Sequence, residues 1–150
     1  MREQKKFIEV LNQKKPEYKI KFIEGDYEPG EFYDIVKGLE RCPEGGERCF
    51  RCYALRLEKT AQLAKEGIYD YFTTTLTISP LKNAVKLNEI GENMAVKYET
   101  AFLPSDFKKK EGYKRSIELS KEYDLYRQNF CGCAFSKAES LVKNDNGSCF

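Results

Sequence analysis

From Cys49 to Leu103 the chain switches repeatedly between two hydrophobic periods, and this alternation limits its fold more than any other feature. Ala54, Leu57, Ala61 and Ala64 recur at helical spacing, which predicts a helix over Cys49–Glu66 with Gly67 as its C′ residue. Tyr69–Leu76 (YDYFTTTL) is aromatic and β-branched and reads as a buried strand. A second helical stripe, Ala84, Leu87, Ile90, Met94 and Tyr98, predicts a helix near Lys82–Tyr98, and Ala101–Leu103 then reads as a further strand. Outside this block, residues 2–13 are amphipathic, and Tyr18, Ile20 and Phe22 alternate with charged residues as in a short strand. Gly25–Gly30 reads as a turn, and Pro29 opens a helix whose apolar face is Phe32, Ile35, Val36 and Leu39. Lys110–Tyr123 is expected to be the last helix.

The order α-β-α-α-β-α-β-α predicts an α/β fold, a three-layer, Rossmann-like sheet flanked by helices. At 150 residues there is room for one domain, expected over residues 1–136, followed by a polar, flexible tail over 137–150. In such sheets ligands bind beyond the C-terminal ends of strands, where Thr73–Asn83 and Gly25–Gly30 are expected to lie.

No apolar run is long enough for a membrane span, and MREQKKFIEV carries no signal-peptide core, so a cytoplasmic protein is expected. That setting makes the 6 cysteines informative, because in a reducing compartment they more often serve metal or redox chemistry than structural disulfides. The chain has no histidine, which excludes histidine triads, histidine–metal sites and a histidine general base. A net charge of +2 does not by itself argue for nucleic acid. Neither GxxxxGK[ST] nor GxGxxG occurs, so no nucleotide site follows.

Four cysteines form two close pairs. Cys49 and Cys52 stand three apart at a helix start, on one side of the helix. The positive helix end, with Arg48 and Arg51, favours anionic sulfur there. Two such thiolates can hold zinc or an iron–sulfur cluster with two further ligands, and spacing does not separate these metals. An incidental, unliganded pair is the bland alternative. Cys131-Gly-Cys133 reads equally as a redox pair, since a strained ring is readily reduced, or as a second metal-ligand pair. Two inert buried thiols fit less well after the polar YRQN loop. Cys42, in the loop before Cys49, and Cys149, in the NDNGSCF tail, carry less signal.

Thr74, Lys82 and Asn83 lie in a hydroxyl-rich strand end and helix start where a phosphate could rest on backbone amides, although a buried strand with an ordinary helix cap is the favoured reading. Arg127 and Gln128, just before Cys131, are placed to touch a substrate near the thiols. Lys108, Lys109, Lys110, Lys114 and Arg115 form a basic cluster that could meet a phosphate backbone, though a solvated helix start is the commoner explanation.

With RCFRCYALRLEKTA (Arg48–Ala61), FTTTLTISPLKN (Phe72–Asn83) and LYRQNFCGCAFS (Leu125–Ser136) in register, the chain resembles epoxyqueuosine reductase of the QueH type from about Met1 to Ser136. The resemblance implies removal of the epoxide oxygen of epoxyqueuosine in tRNA to give queuosine. It implies a [4Fe-4S] cluster with Cys49 and Cys52 as ligands, a redox-active disulfide pair at Cys131 and Cys133, and an electron donor of unassigned identity. Members of the family begin with a strand ending in an adjacent Cys-Cys that supplies the other cluster ligands. This chain has no adjacent Cys-Cys, so the expectation is that it lacks that first strand. Without histidine, the proton donor must be a Cys, Tyr, Lys or carboxylic acid. Asp26 is a candidate for that role or for an additional metal ion, with a plain turn residue as the favoured reading. The rival from another class is a non-catalytic domain stabilised by zinc on Cys49, Cys52, Cys131 and Cys133. A third reading is a plain thiol–disulfide module.

Overall fold

A computed structural model describes residues 2–26 and 28–145. Its helices are α1 (Arg2–Lys14), α2 (Pro29–Ile35), α3 (Glu47–Glu66), α4 (Ala84–Tyr98), α5 (Gly112–Glu122) and α6 (Ala134–Asp145). Two short strands, β1 (Tyr71–Phe72) and β2 (Ala101–Phe102), pair in parallel, with Tyr71 opposite Ala101 and Phe72 opposite Phe102. The chain divides into two compact units, Glu28–Arg115 and the combination of the first 27 residues with Ser116 onward.

The larger unit contains the α/β motif. Parallel strands need a crossover, and α4 supplies it between β1 and β2. Cys49, Tyr53, Leu57, Ala61 and Ala64 lie at helical spacing along α3 and are buried. They pack with Phe72 of β1 and with Leu87 and Ile90 of α4. Gly91 lets α4 approach the strand, because a Cβ there would meet the Phe102 ring at 2.3 Å. Across the two helices, Glu58 accepts hydrogen bonds from Lys97 and, at 2.8 Å, from the Tyr98 hydroxyl.

α3 ends in a Schellman turn. The Tyr69 amide donates to Ala64 O at 2.9 Å and the Ile68 amide to Lys65 O at 3.2 Å. The left-handed residue is Ile68 (φ 54°), one position beyond the expected Gly67. Gly67 has an ordinary φ of −82°, and its missing side chain makes room for the Tyr69 ring.

The α/β class matches the sequence reading, but the three-strand, three-layer Rossmann-like sheet is reduced to two short parallel strands among the described residues. Tyr18–Phe22 is not a strand. The Asn12 side chain of α1 takes the place of a strand neighbour, accepting from the Ile20 amide at 2.7 Å and donating to Ile20 O at 2.9 Å. Tyr69–Leu76 keeps strand geometry only at β1, since Thr73 Oγ1 donates to Leu103 O at 2.7 Å and Leu76–Ile78 curls into a 3-10 turn. The sequence reading places the last helix at Lys110–Tyr123 and does not anticipate α6.

In the smaller unit Phe7 of α1 meets Tyr123, the residue after α5, with the two rings edge to face at 4.9 Å. Lys14 donates to the Tyr123 hydroxyl at 3.0 Å. No helix among the described residues is long and apolar enough to cross a membrane.

Candidate functional site

Each cysteine pair sits at the start of a helix, one in each unit. Cys49 and Cys52 occupy the first turns of α3, Cys49 buried and Cys52 half-buried. Gly46 is the N-cap, and the preceding residue Gly45 (φ 89°) turns its amide to donate to Cys49 Sγ at 3.3 Å. This loop is braced from both sides. The Arg48 guanidinium is buried and donates to Glu40 O at 2.9 Å. Glu44 accepts from the buried Lys82 ammonium at 2.6 Å. Two sulfurs three residues apart at a helix start lie on one side of the helix, the relation that a pair of metal or cluster ligands would need.

A [4Fe-4S] cluster usually takes four thiolates, and this pair is two cysteines. Among the described residues no group of three or more Cys, Asp or Glu residues is gathered to hold a metal ion. Cys42, half-buried, has its amide turned to Leu39 O at 3.0 Å. Cys149 lies outside the described residues.

Cys131 and Cys133 are half-buried, and their sulfurs stand 3.5 Å apart. Gly132 between them has φ 98°, a conformation a side chain would resist. Cys133 caps α6: its carbonyl accepts from Lys137 N at 3.1 Å and its Sγ accepts from Ser136 N at 3.3 Å. The Ser136 hydroxyl in turn accepts from the Cys131 amide at 3.1 Å. Ser136 is buried and escaped the sequence reading, although its position three residues after Cys133 is the spacing of a capping interaction.

The five candidate substrate-binding residues have local partners. Thr74 Oγ1 accepts from Leu76 N at 3.2 Å. Asn83 is the N-cap of α4, its Oδ1 accepting from Lys86 N at 3.0 Å. Lys82 is committed to Glu44, as described above. Arg127 donates to Ser116 O at 3.1 Å and to Ser120 Oγ at 3.0 Å on α5. Gln128 donates to Phe130 O at 2.6 Å and is exposed, like Asp26.

Beyond the ends of β1 and β2 a cleft of about 500 Å³ is lined by Asn88, Ser105, Asp106, Phe107, Lys109 and Lys110. Its floor is a polar network in which Ser105 donates to Thr74 O at 3.2 Å and Asn88 accepts from Ser105 N at 3.1 Å. The hydrogen bond from Lys108 holds the Asp106 carboxyl below its usual range, Lys109 adding to the effect. Two lysines of the predicted basic cluster are thus engaged with Asp106, and Lys114 lies 3.6 Å from Glu111.

The family model described as epoxyqueuosine reductase QueH matches residues 1–139. The chain is 51% identical over 117 residues to the epoxyqueuosine reductase QueH of Streptococcus pyogenes serotype M1, covering 78% of this chain and 46% of that protein. The protein of the same name from Staphylococcus epidermidis is 45% identical over 135 residues, 89% of this chain and 56% of its own. That of Thermotoga maritima is 40% identical over 123 residues, 80% of this chain and 64% of its own. The chain spans about half the length of the first two of these relatives.

Proposed function

The chain belongs to the epoxyqueuosine reductase QueH family, and from that premise we propose that it takes part in reducing epoxyqueuosine in tRNA to queuosine, with Cys131 and Cys133 as the redox-active pair. The observation that carries this reading is the separation of their sulfurs, 3.5 Å across a glycine hinge. The electron count is consistent with it. Removing the epoxide oxygen as water takes two electrons and two protons and leaves the alkene. Two thiols that close one S–S bond release that number of each. An external two-electron reductant must then reopen the disulfide. The Cys133 sulfur already accepts a helix amide, which favours negative charge on it.

In the same reading Cys49 and Cys52 are two ligands of a [4Fe-4S] cluster, which when bound supplies one-electron transfer to the site. Their fit is the paired position at the α3 start and the Gly45 amide on Cys49 Sγ. Buried Lys82 holds half-buried Glu44, the neighbour of Gly45, in an ion pair. The proposed substrate places the activity in the cytoplasm.

Two measurements test this. Reduced protein mixed with tRNA containing epoxyqueuosine should convert the modified nucleoside to a species lighter by one oxygen atom, read by mass spectrometry. Cys131→Ser and Cys133→Ser should each abolish the conversion; full activity in either sinks the redox role. Anaerobic reconstitution with iron and sulfide should give broad brown absorbance that is lost in Cys49→Ser and Cys52→Ser. A colourless protein retaining one zinc would instead support a purely structural metal site.

A further inference from the structure

Ser136 touches both halves of the Cys131-Gly132-Cys133 turn. Its hydroxyl oxygen accepts from the Cys131 amide at 3.1 Å, and its own amide donates to Cys133 Sγ at 3.3 Å. The two contacts pull on opposite sides of Gly132, whose φ of 98° belongs to a backbone with few constraints of its own. Ser136 is 4% exposed, so water does not compete freely for either bond. A helix that merely needed a cap would require only the Cys133 contact. The hydroxyl bond reaches past the cap residue to the other cysteine.

We propose that Ser136 is a positioning residue for the thiol pair, holding Cys131 and Cys133 in the geometry from which their disulfide closes. Preorganisation of this kind raises the equilibrium constant for ring closure, because the turn no longer has to be ordered when the sulfurs join. The inference rests on the reading of these cysteines as a redox pair.

The test equilibrates the full chain with glutathione buffers of graded thiol-to-disulfide ratio. Glutathione disulfide is the oxidant: one S–S bond closes between Cys131 and Cys133 and two glutathione thiols are released. Free thiols are trapped by alkylation and the internal disulfide is quantified by mass spectrometry. Ser136→Ala should lower the closure constant about fivefold, the scale of one lost hydrogen bond to a backbone amide. Ser136→Thr, which keeps the hydroxyl, should restore it. An unchanged constant in Ser136→Ala, or an equal loss in Ser136→Thr, overturns the role. A second measurement needs no variant. The Cys131 amide of the reduced parent chain should be protected from hydrogen exchange, and exchange at the rate of an unstructured amide refutes the proposal. None of these assays contains tRNA. Failure to convert epoxyqueuosine with an altered Ser136→Ala constant therefore counts against the proposed function alone, and an unaltered constant counts against Ser136 alone.

Discussion

Lys82, a candidate substrate contact beside a hydroxyl-rich loop, has a side chain that is 5% exposed and ion-paired with Glu44. Glu44 neighbours Gly45, whose amide donates to Cys49 Sγ, so the ion pair braces the start of α3. Removing one member of a buried pair leaves the other charge without compensation. Lys82→Ala should therefore cost about 3 kcal/mol in urea unfolding, and a loss well below 1 kcal/mol would show that the pair behaves as a surface contact. Asn83 was likewise legible as a helix-start residue, and it caps α4. For Ser136 the capping spacing to Cys133 was present in the sequence, but the bond from the Cys131 amide depends on the Gly132 backbone, which the sequence does not display.

Helix ends hold the features that sequence periods do not reveal. Ile68 is 92% exposed and sits in the left-handed region that a β-branched side chain disfavours. Ile68→Gly should stabilise the protein by about 1 kcal/mol, seen as a higher denaturation midpoint; a lower midpoint would mean that the isoleucine makes a compensating contact. Between α3 and α4, the hydrogen bond from Lys97, followed by that from Tyr98, holds the Glu58 carboxyl below its usual range. The same bond raises the Lys97 ammonium above its usual range. A depressed carboxyl stabilises the fold above its unfolded value, and this contribution is lost as pH falls through its folded value. Glu58→Gln should thus be less stable than the parent at neutral pH, with the gap closing in acid. A gap that persists through the carboxylate range would assign the effect to packing. The raised Lys97 contributes in the opposite sense, present below the ordinary lysine range and lost above it.

At the scale of the whole molecule, the buried apolar side chains gather along α3, α4 and β1 within Glu28–Arg115. Native-state hydrogen exchange should find the slowest amides in α3 and α4, and equally slow exchange in α1 would contradict a core so placed. Leu57, 2% exposed, lies at its centre, and Leu57→Ala should cost about 3 kcal/mol. The helices of this region were plain in the sequence because burial on one side imposes a 3.6-residue period, as Leu57, Ala61 and Ala64 show. The cysteine pairs were plain for a similar reason: residue spacing alone sets two thiols side by side, at Cys49 and Cys52 on a helix turn and at Cys131 and Cys133 across one glycine. Strand pairing had no such local signature. Tyr18–Phe22 alternates like a strand, but the Ile20 backbone is bonded by the Asn12 side chain, and only the folded chain decides between a side-chain amide and a neighbouring strand. The same holds for the sulfurs. Sequence determined that two pairs of thiols would lie close together, Cys49 and Cys52 at a helix start, whereas only the folded chain set Cys131 and Cys133 at the start of α6 and turned the Gly45 and Ser136 amides onto sulfur, because those contacts depend on the backbone conformation of the glycine turns.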